Sequence, residues 1–168
     1  MSTRGSMHTG TTTTNTPTWL RPVTTVVGAT FLLVGILGFI PGITTNYGDM
    51  TFASHDSDAQ LLGIFEVSVL HNVVHLLFGI VGLIAARKLT SAAQYLLVGG
   101  IIYLVLWIYG LVIDQTSSAN FVPVNTADNW LHFVLGVAMT LLGAVGLRQL
   151  RESTGTTTGT TAGPGTTR

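Results

Sequence analysis

The chain has 168 residues, of which 47 % are hydrophobic and only 8 % are charged, and its formal net charge is zero. Soluble domains carry about 25 % charged residues, so this composition, with a mean hydropathy of +0.55, predicts a membrane protein. The neutral balance, without a long basic run, argues against a nucleic-acid partner. The chain contains no cysteine, which excludes disulfides, thiolate metal sites and cysteine nucleophiles.

Four apolar stretches predict four membrane-spanning helices. Each stretch is close to the ~20 residues that cross a bilayer core of ~30 Å. We therefore expect an all-α membrane protein, a four-transmembrane-helix bundle between residues 19 and 150. The predicted spans are residues 23–40, 67–86, 95–113 and 130–147.

The two ends of the chain are rich in threonine and poor in large apolar side chains. Residues 1–18 and 151–168 cannot bury enough surface to offset the entropy lost on ordering. We expect a disordered lead and a disordered tail, both in the cytoplasm.

Basic residues predict how the bundle is oriented. Cytoplasmic loops carry an excess of lysine and arginine, and the two longer loops, 44–60 and 115–127, contain neither. Both termini and the turn at 87–92 should therefore be cytoplasmic, and the two longer loops external. The basic residues that flank the spans are Arg21, Arg87, Lys88, Arg148 and Arg151.

Two segments of the chain resemble each other. HNVVHLLFGIVGL, residues 71–83, aligns without gaps on DNWLHFVLGVAMT, residues 128–140, and LLVG occurs at 32–35 and again at 96–99. These matches predict two tandem two-helix repeats inserted in the same direction. The pattern N-x-x-H-x-x-x-G comprises Asn72, His75 and Gly79 in the first segment and Asn129, His132 and Gly136 in the second.

Helical spacing places these residues on one face of each helix, because steps of three and four residues return to the same side. Small residues on such a face allow close helix packing in a membrane, so we expect the imidazoles to face protein rather than lipid. The stripe on the second helix is Ser68, His71, Asn72, His75, Gly79, Gly82 and Ala86. The stripe on the fourth is Asp128, Asn129, His132, Gly136, Met139 and Gly143.

The third helix offers a polar counterpart and the first does not. The hydroxyl of Tyr103 and the indole N–H of Trp107 both require partners when they are buried. Helix three is predicted to present one face made of Gly99, Tyr103, Trp107, Gly110 and Asp114. Helix one contributes only Gly28, Gly35 and Gly38, and its role is predicted to be structural.

The segment before the second span also carries a helix-like signal. Ser57 and Gln60 have capping-box spacing and precede several apolar residues. The pattern predicts either a second helix that protrudes by some turns or a short amphipathic helix at the interface. The second alternative is favoured because it brings His71 and Asp128 to the same depth.

Two interpretations of the polar cluster remain open. Its histidines, asparagines and aspartate can form interhelical hydrogen bonds, worth ~0.6 kcal/mol each on average, and so fix packing or receive a partner or ligand. Alternatively, His71, His75, His132 and a carboxylate from Asp128 or Glu66 form a metal site, or His75 and His132 bind haem. The cofactor is therefore unknown; none is expected on the first interpretation.

Catalysis has little support in the sequence. No G-x-S-x-G, H-E-x-x-H or phosphate-binding glycine loop is present. Asp128 and His132 could act as an acid–base couple, but no nucleophile accompanies them. We expect a non-catalytic structural or accessory protein.

The four-span layout, both N-x-x-H-x-x-x-G segments and the preceding Asp128 resemble a family of small bacterial membrane proteins, domain of unknown function 4383. The similarity covers roughly residues 20–150 and leaves out both threonine-rich ends. The family is common in high-GC Gram-positive bacteria, so the resemblance implies a plasma-membrane location. It implies no reaction. Because glycine-lined faces can also pack between chains, a homo-oligomer or a larger membrane complex is a further expectation.

Overall fold

The computed structural model describes residues 16–155, and the predicted disorder of residues 1–15 and 156–168 lies outside them. The described chain forms four α-helices and a small antiparallel sheet of strand order β1-β2-β3. The helices are α1 Leu20–Leu37, α2 Val69–Ala85, α3 Leu89–Val112 and α4 Thr126–Gly155. The strands are β1 Thr44–Thr45, β2 Gln60–Leu61 and β3 Phe65–Glu66, with a 3₁₀ turn at Tyr47–Asp49.

The helical class and the number of helices are confirmed. Helices α1, α3 and α4 are long and apolar enough to cross a membrane, whereas α2 is an apolar helix of 17 residues. Three helices exceed their predicted bounds: α1 begins at Leu20 rather than 23, α3 begins at Leu89 rather than 95, and α4 runs from Thr126 to Gly155 rather than from 130 to 147. Hydropathy missed these ends because they contain polar residues, which lower the hydropathy of a segment without ending the helix.

The segment before α2 is a β-hairpin, so the predicted helix there is wrong. Leu62 and Gly63 adopt φ of 56° and 70°, which turns the chain sharply between β2 and β3. The Ser57 hydroxyl donates to Val67 O at 2.6 Å instead of capping a helix. The capping-box spacing wrongly predicted a helix because Ser57 and Gln60 make turn and strand contacts instead of helix-capping bonds.

The helices pack as two antiparallel pairs, α1 with α2 and α3 with α4. Glycines allow each close approach: a methyl group at Gly79 would lie 2.6 Å from Leu32 N, and one at Gly136 would lie 2.9 Å from Leu104 N. These glycine faces are thus used inside the chain, between the helices of each pair.

The predicted stripes are the buried faces of α2 and α4, since every one of their residues is buried. On α3, Gly99, Tyr103 and Gly110 are buried and Trp107 is half-buried. Asp114 does not belong to this face, because it lies beyond the end of α3 and is exposed.

Aromatic side chains join the two pairs near mid-bundle. The ring of Phe31 on α1 lies 4.9 Å from Phe78 on α2 and 5.4 Å from Tyr103 on α3, measured between centroids. At the end that carries the α2–α3 turn, Trp19 Nε1 donates to Gln149 Oε1 at 2.9 Å. The pairs are therefore connected both at mid-bundle and at that end.

Enlarging a glycine between paired helices should destabilise the fold. Gly28→Leu and Gly100→Leu should each lower the free energy of unfolding by about 1–3 kcal/mol, because the side chain would meet backbone of the partner helix. The measurement is thermal unfolding of the detergent-solubilised chain. Gly48→Ala, where nothing lies within 4 Å, is the control; equal Tm values for all three variants would contradict the packing described here.

Candidate functional site

Side-chain caps fix the start of α2 and of α4 at the same end of the bundle, the loop end, where segments 38–68 and 113–125 lie. Ser68 Oγ accepts from His71 N at 3.1 Å. Asn125 Oδ1 accepts from Ala127 N at 2.8 Å and from Asp128 N at 3.1 Å. His71 and Asp128 are thereby held in the first turns of their helices.

These first-turn residues cross-link the two helix pairs reciprocally. His71 Nδ1 donates to Pro123 O, just before α4, at 3.0 Å. Asp128 Oδ2 accepts from Glu66 N, just before α2, at 3.0 Å, and also from Asn125 N at 3.0 Å. The first turn of each helix thus holds the segment that leads into the other.

The two asparagines meet glycines on the partner helix of their own pair. Asn129 Nδ2 donates to Gly110 O at 2.9 Å, and its Oδ1 occupies the place a methyl group would take at Gly110. Asn72 Oδ1 occupies the corresponding place at Gly38. Both asparagines are buried at 3 % exposure or less, so glycine is required opposite each of them.

The three histidines lie close together, around Tyr103. The rings of His71 and His75 are stacked with centroids 4.6 Å apart, and Tyr103 packs edge-on against His132 at 5.0 Å. Tyr103 Oη also lies 3.4 Å from His75 Nε2. All four side chains are buried at 9 % exposure or less.

These four residues line one cavity of about 120 Å³ between α2, α3 and the segment 119–124. The segment closes the cavity from the loop end, and Asn120 shapes it: Nδ2 donates to Val124 O at 3.2 Å while Oδ1 accepts from Val124 N at 3.0 Å. Tyr109 Oη donates to Ala119 O at 2.8 Å. Sequence reasoning missed Asn120 and Tyr109, because nothing in their local pattern distinguishes them from other loop and lipid-facing residues.

Hydrogen bonds determine the chemistry of the histidine nitrogens. Because a carbonyl oxygen only accepts, the proton of His71 is on Nδ1, bonded to Pro123 O, and that of His75 is on Nδ1, bonded to His71 O at 3.1 Å. Each Nε2 is then an acceptor. Within residues 16–155, His71 Nε2 and both ring nitrogens of His132 have no hydrogen-bond partner, and Nδ1 of His132 is fully buried.

The remaining predicted site residues lie outside the cavity. Asp128, Asn72 and Asn129 contact backbone, as described above, and the Trp107 ring packs at a tilt against Phe133, with centroids 4.6 Å apart. Across residues 16–155, no group of three or more histidines, aspartates or glutamates is placed to hold a metal ion. The geometry therefore lends no support to a metal site built from His71, His75, His132 and Asp128.

Two acidic residues outside the helices differ in environment. Burial raises the pKa of Glu66 above its ordinary value, with a further rise from Asp58 and an opposing effect of His55. Hydrogen bonds from the backbone N–H and the hydroxyl of Thr116 lower the pKa of Asp114, which is exposed to solvent. Asp114 is thus a solvated loop acid, whereas Glu66 is partly desolvated beside α4.

A family model described as "Domain of unknown function (DUF4383)" matches residues 21–145. The chain belongs to this family. The match extends from α1 into α4 and includes both N-x-x-H-x-x-x-G segments, so it covers every residue of the cavity and of the reciprocal cross-links. No curated protein and no solved structure matches the chain.

Removing the Asp128 acceptor should loosen the loop end. Asp128→Leu should lower the free energy of unfolding by about 1–3 kcal/mol, because two backbone N–H groups lose their acceptor. Asp128→Asn keeps an acceptor oxygen and should have a smaller effect. Thermal unfolding in detergent measures both, with exposed Asp49→Asn as the control; equal stability of Asp128→Leu and wild type would contradict the assigned bonds.

Glu66 should make stability depend on pH. Its folded-state pKa is raised, so ionisation costs more in the folded chain; this cost is absent well below the ordinary value of 4.5 and is complete above the raised pKa. Glu66→Gln should therefore raise the Tm at neutral pH and change it little at about pH 3. A Tm gain that does not depend on pH would refute this origin.

Proposed function

We propose that the chain is a multi-pass membrane protein in which all four helices cross the bilayer. Helices α1, α3 and α4 are each long and apolar enough to cross a membrane. Helix α2 packs along α1 through Gly79 and Gly82. At 17 residues, α2 is at the short end of the ~17–25 that span a bilayer. We place both termini and the α2–α3 turn in the cytoplasm of a bacterium and the loop end outside, following the basic residues.

We also propose that the bundle is a tandem duplication. Five features of α2 recur on α4 at one constant separation along the sequence: the cap, the cross-link, the asparagine, the histidine and the glycine. These pairs are Ser68 and Asn125, His71 and Asp128, Asn72 and Asn129, His75 and His132, and Gly79 and Gly136.

The contacts made by α1 and α3 agree with this duplication. Gly38 faces Asn72 as Gly110 faces Asn129, and Phe31 meets His75 as Tyr103 meets His132. The LLVG match at 32–35 and 96–99 follows a different spacing and has no structural counterpart here, so we exclude it from the repeat.

The function we propose is non-catalytic: the outer polar cluster divides into residues that fix packing and residues that receive a ligand. Asn72, Asn129 and Asp128 contact protein, and so serve packing. The observation that supports a ligand is His132, which lines the cavity with an unpartnered, fully buried Nδ1. Asn72 Oδ1, Asn129 Oδ1 and Trp107 Nε1 are also buried without a partner, but these residues do not line the cavity. The ligand assignment therefore rests on His132 being both unpartnered, at a cost in stability, and part of the cavity lining.

Substituting the two kinds of residue should therefore have opposite effects. His132→Leu should preserve or raise the Tm of the purified chain, because it removes an unsatisfied polar atom. Asn129→Leu should lower the Tm, with a loss of about 1–3 kcal/mol in the free energy of unfolding, because a hydrogen bond is lost and the leucine clashes with Gly110. Thermal unfolding in detergent provides the comparison. A substantial loss of stability in His132→Leu would show that this histidine serves packing, and the ligand assignment would then fail.

Single-cysteine labelling tests the proposed topology, since the native chain has no cysteine. Gly48→Cys and Ser118→Cys should react with a membrane-impermeant maleimide added to intact cells, and Arg87→Cys should react only after permeabilisation. Labelling of residues 48 and 87 from the same side would show that α2 does not cross the membrane.

A further inference from the structure

An apolar groove runs along the outer surface between α2 and α3 and meets the histidine cavity. The groove has a volume of about 550 Å³ and is lined by Phe78, Val81, Tyr95 and Val98 among others. Val74 lines both the groove and the cavity. In a membrane this groove faces acyl chains, so the histidine cavity is continuous with a path open to lipid.

Neither space offers a charge. Among the described residues, no aspartate, glutamate, lysine or arginine lines the groove or the cavity. A phosphate headgroup would find no cation there, and an amine would find no carboxylate, and each would pay the cost of desolvating its charge. The occupant that fits is a neutral amphiphile with an apolar chain and a small polar head.

The free hydrogen-bonding groups of the histidines that line the cavity are mainly acceptors. His71 Nε2 is an unused acceptor, and His75 Nε2 has only the long contact of 3.4 Å to Tyr103. His132 adds one further acceptor and one donor as a neutral imidazole. A head that donates O–H bonds is satisfied here, whereas a head that only accepts leaves the acceptors unpaired.

The lining of the cavity favours an aromatic head. Phe121, Tyr103 and Tyr109 line it together with the histidines, and its volume of about 120 Å³ is of the same order as the ~150 Å³ of an engineered cavity that binds benzene. Resting on the ligand-receiving function proposed above, we infer that the cavity and groove bind a quinol: an aromatic ring with hydroxyls in the cavity and an apolar chain in the groove.

The test uses the full chain in detergent and three probes that share a decyl chain: a benzoquinol, the matching benzoquinone and the quinol's dimethyl ether. Affinity is measured by titration of ligand-dependent thermal stabilisation under anaerobic conditions. The quinol should bind at least about tenfold more tightly than the other two, because only it donates to the histidine acceptors. Equal affinity for all three would overturn the donor argument, and no saturable binding of the quinol would overturn the site.

Variants separate the head from the chain. His132→Leu should weaken quinol binding at least about tenfold, and Val98→Trp should do so by filling the groove, whereas Val134→Trp on the exposed face of α4 should leave affinity unchanged. Quinol affinity that is insensitive to both His132→Leu and Val98→Trp would refute the placement.

Failure of quinol binding can be distinguished from failure of the ligand-receiving role. If His132→Leu keeps its stability without ligand but the wild-type chain binds no quinol, the ligand-receiving role survives and the quinol assignment is lost. If His132→Leu unfolds, the ligand-receiving role fails, and the Val98→Trp and Val134→Trp pair still decides whether the groove binds the chain of the quinol.

Discussion

The loop end of this bundle depends on the rule that backbone N–H and C=O groups buried near an apolar phase must find partners. Two loop segments run over the ends of the helices, and the backbone groups of Glu66 and Pro123 would otherwise lack partners there. The first turn of the opposite helix supplies them, through Asp128 and His71. His71 and Asp128 resemble part of a binding motif in the sequence, but in the structure they satisfy the irregular backbone at this end of the bundle.

That arrangement explains why some polar residues are engaged and others are not. Asn72, Asn129 and Asp128 are bonded to, or packed against, backbone that cannot move away, and their environment is fully protein. His132 occupies the same kind of position as His75 on its helix, but within residues 16–155 its Nδ1 has no hydrogen-bond partner. In the duplication that we propose, one copy of the histidine thus has a partner that the other lacks, and both line the cavity.

The spacing of apolar and small residues was sufficient to predict much of the fold. Steps of three and four residues identified the buried faces of α2 and α4, because in a helix of known register the spacing alone determines which residues share a side. The sequence failed where the contacts are non-local. The Ser57–Gln60 spacing suggested a helix, yet a positive φ at Leu62 and Gly63 produces a hairpin. No local sequence pattern identifies Asn120. Its side chain shapes the segment 119–124, which covers residues that are distant along the chain.

The tautomers of His71 and His75 bear on how the cavity can be entered. His71 carries its proton on Nδ1, which donates to the carbonyl oxygen of Pro123 in the segment that covers the cavity. Nε2 of the same ring is therefore an acceptor. Lifting that segment would break this bond and leave the ring without a fixed tautomer, so the covering loop and the acceptor it creates act as one unit. For the ligand that we propose, entry from water would break this bond, whereas sideways entry along α2 and α3 leaves it intact. On that proposal, a molecule that reaches these histidines is selected first by its partition into lipid, and its concentration in the aqueous phase matters only through that partition.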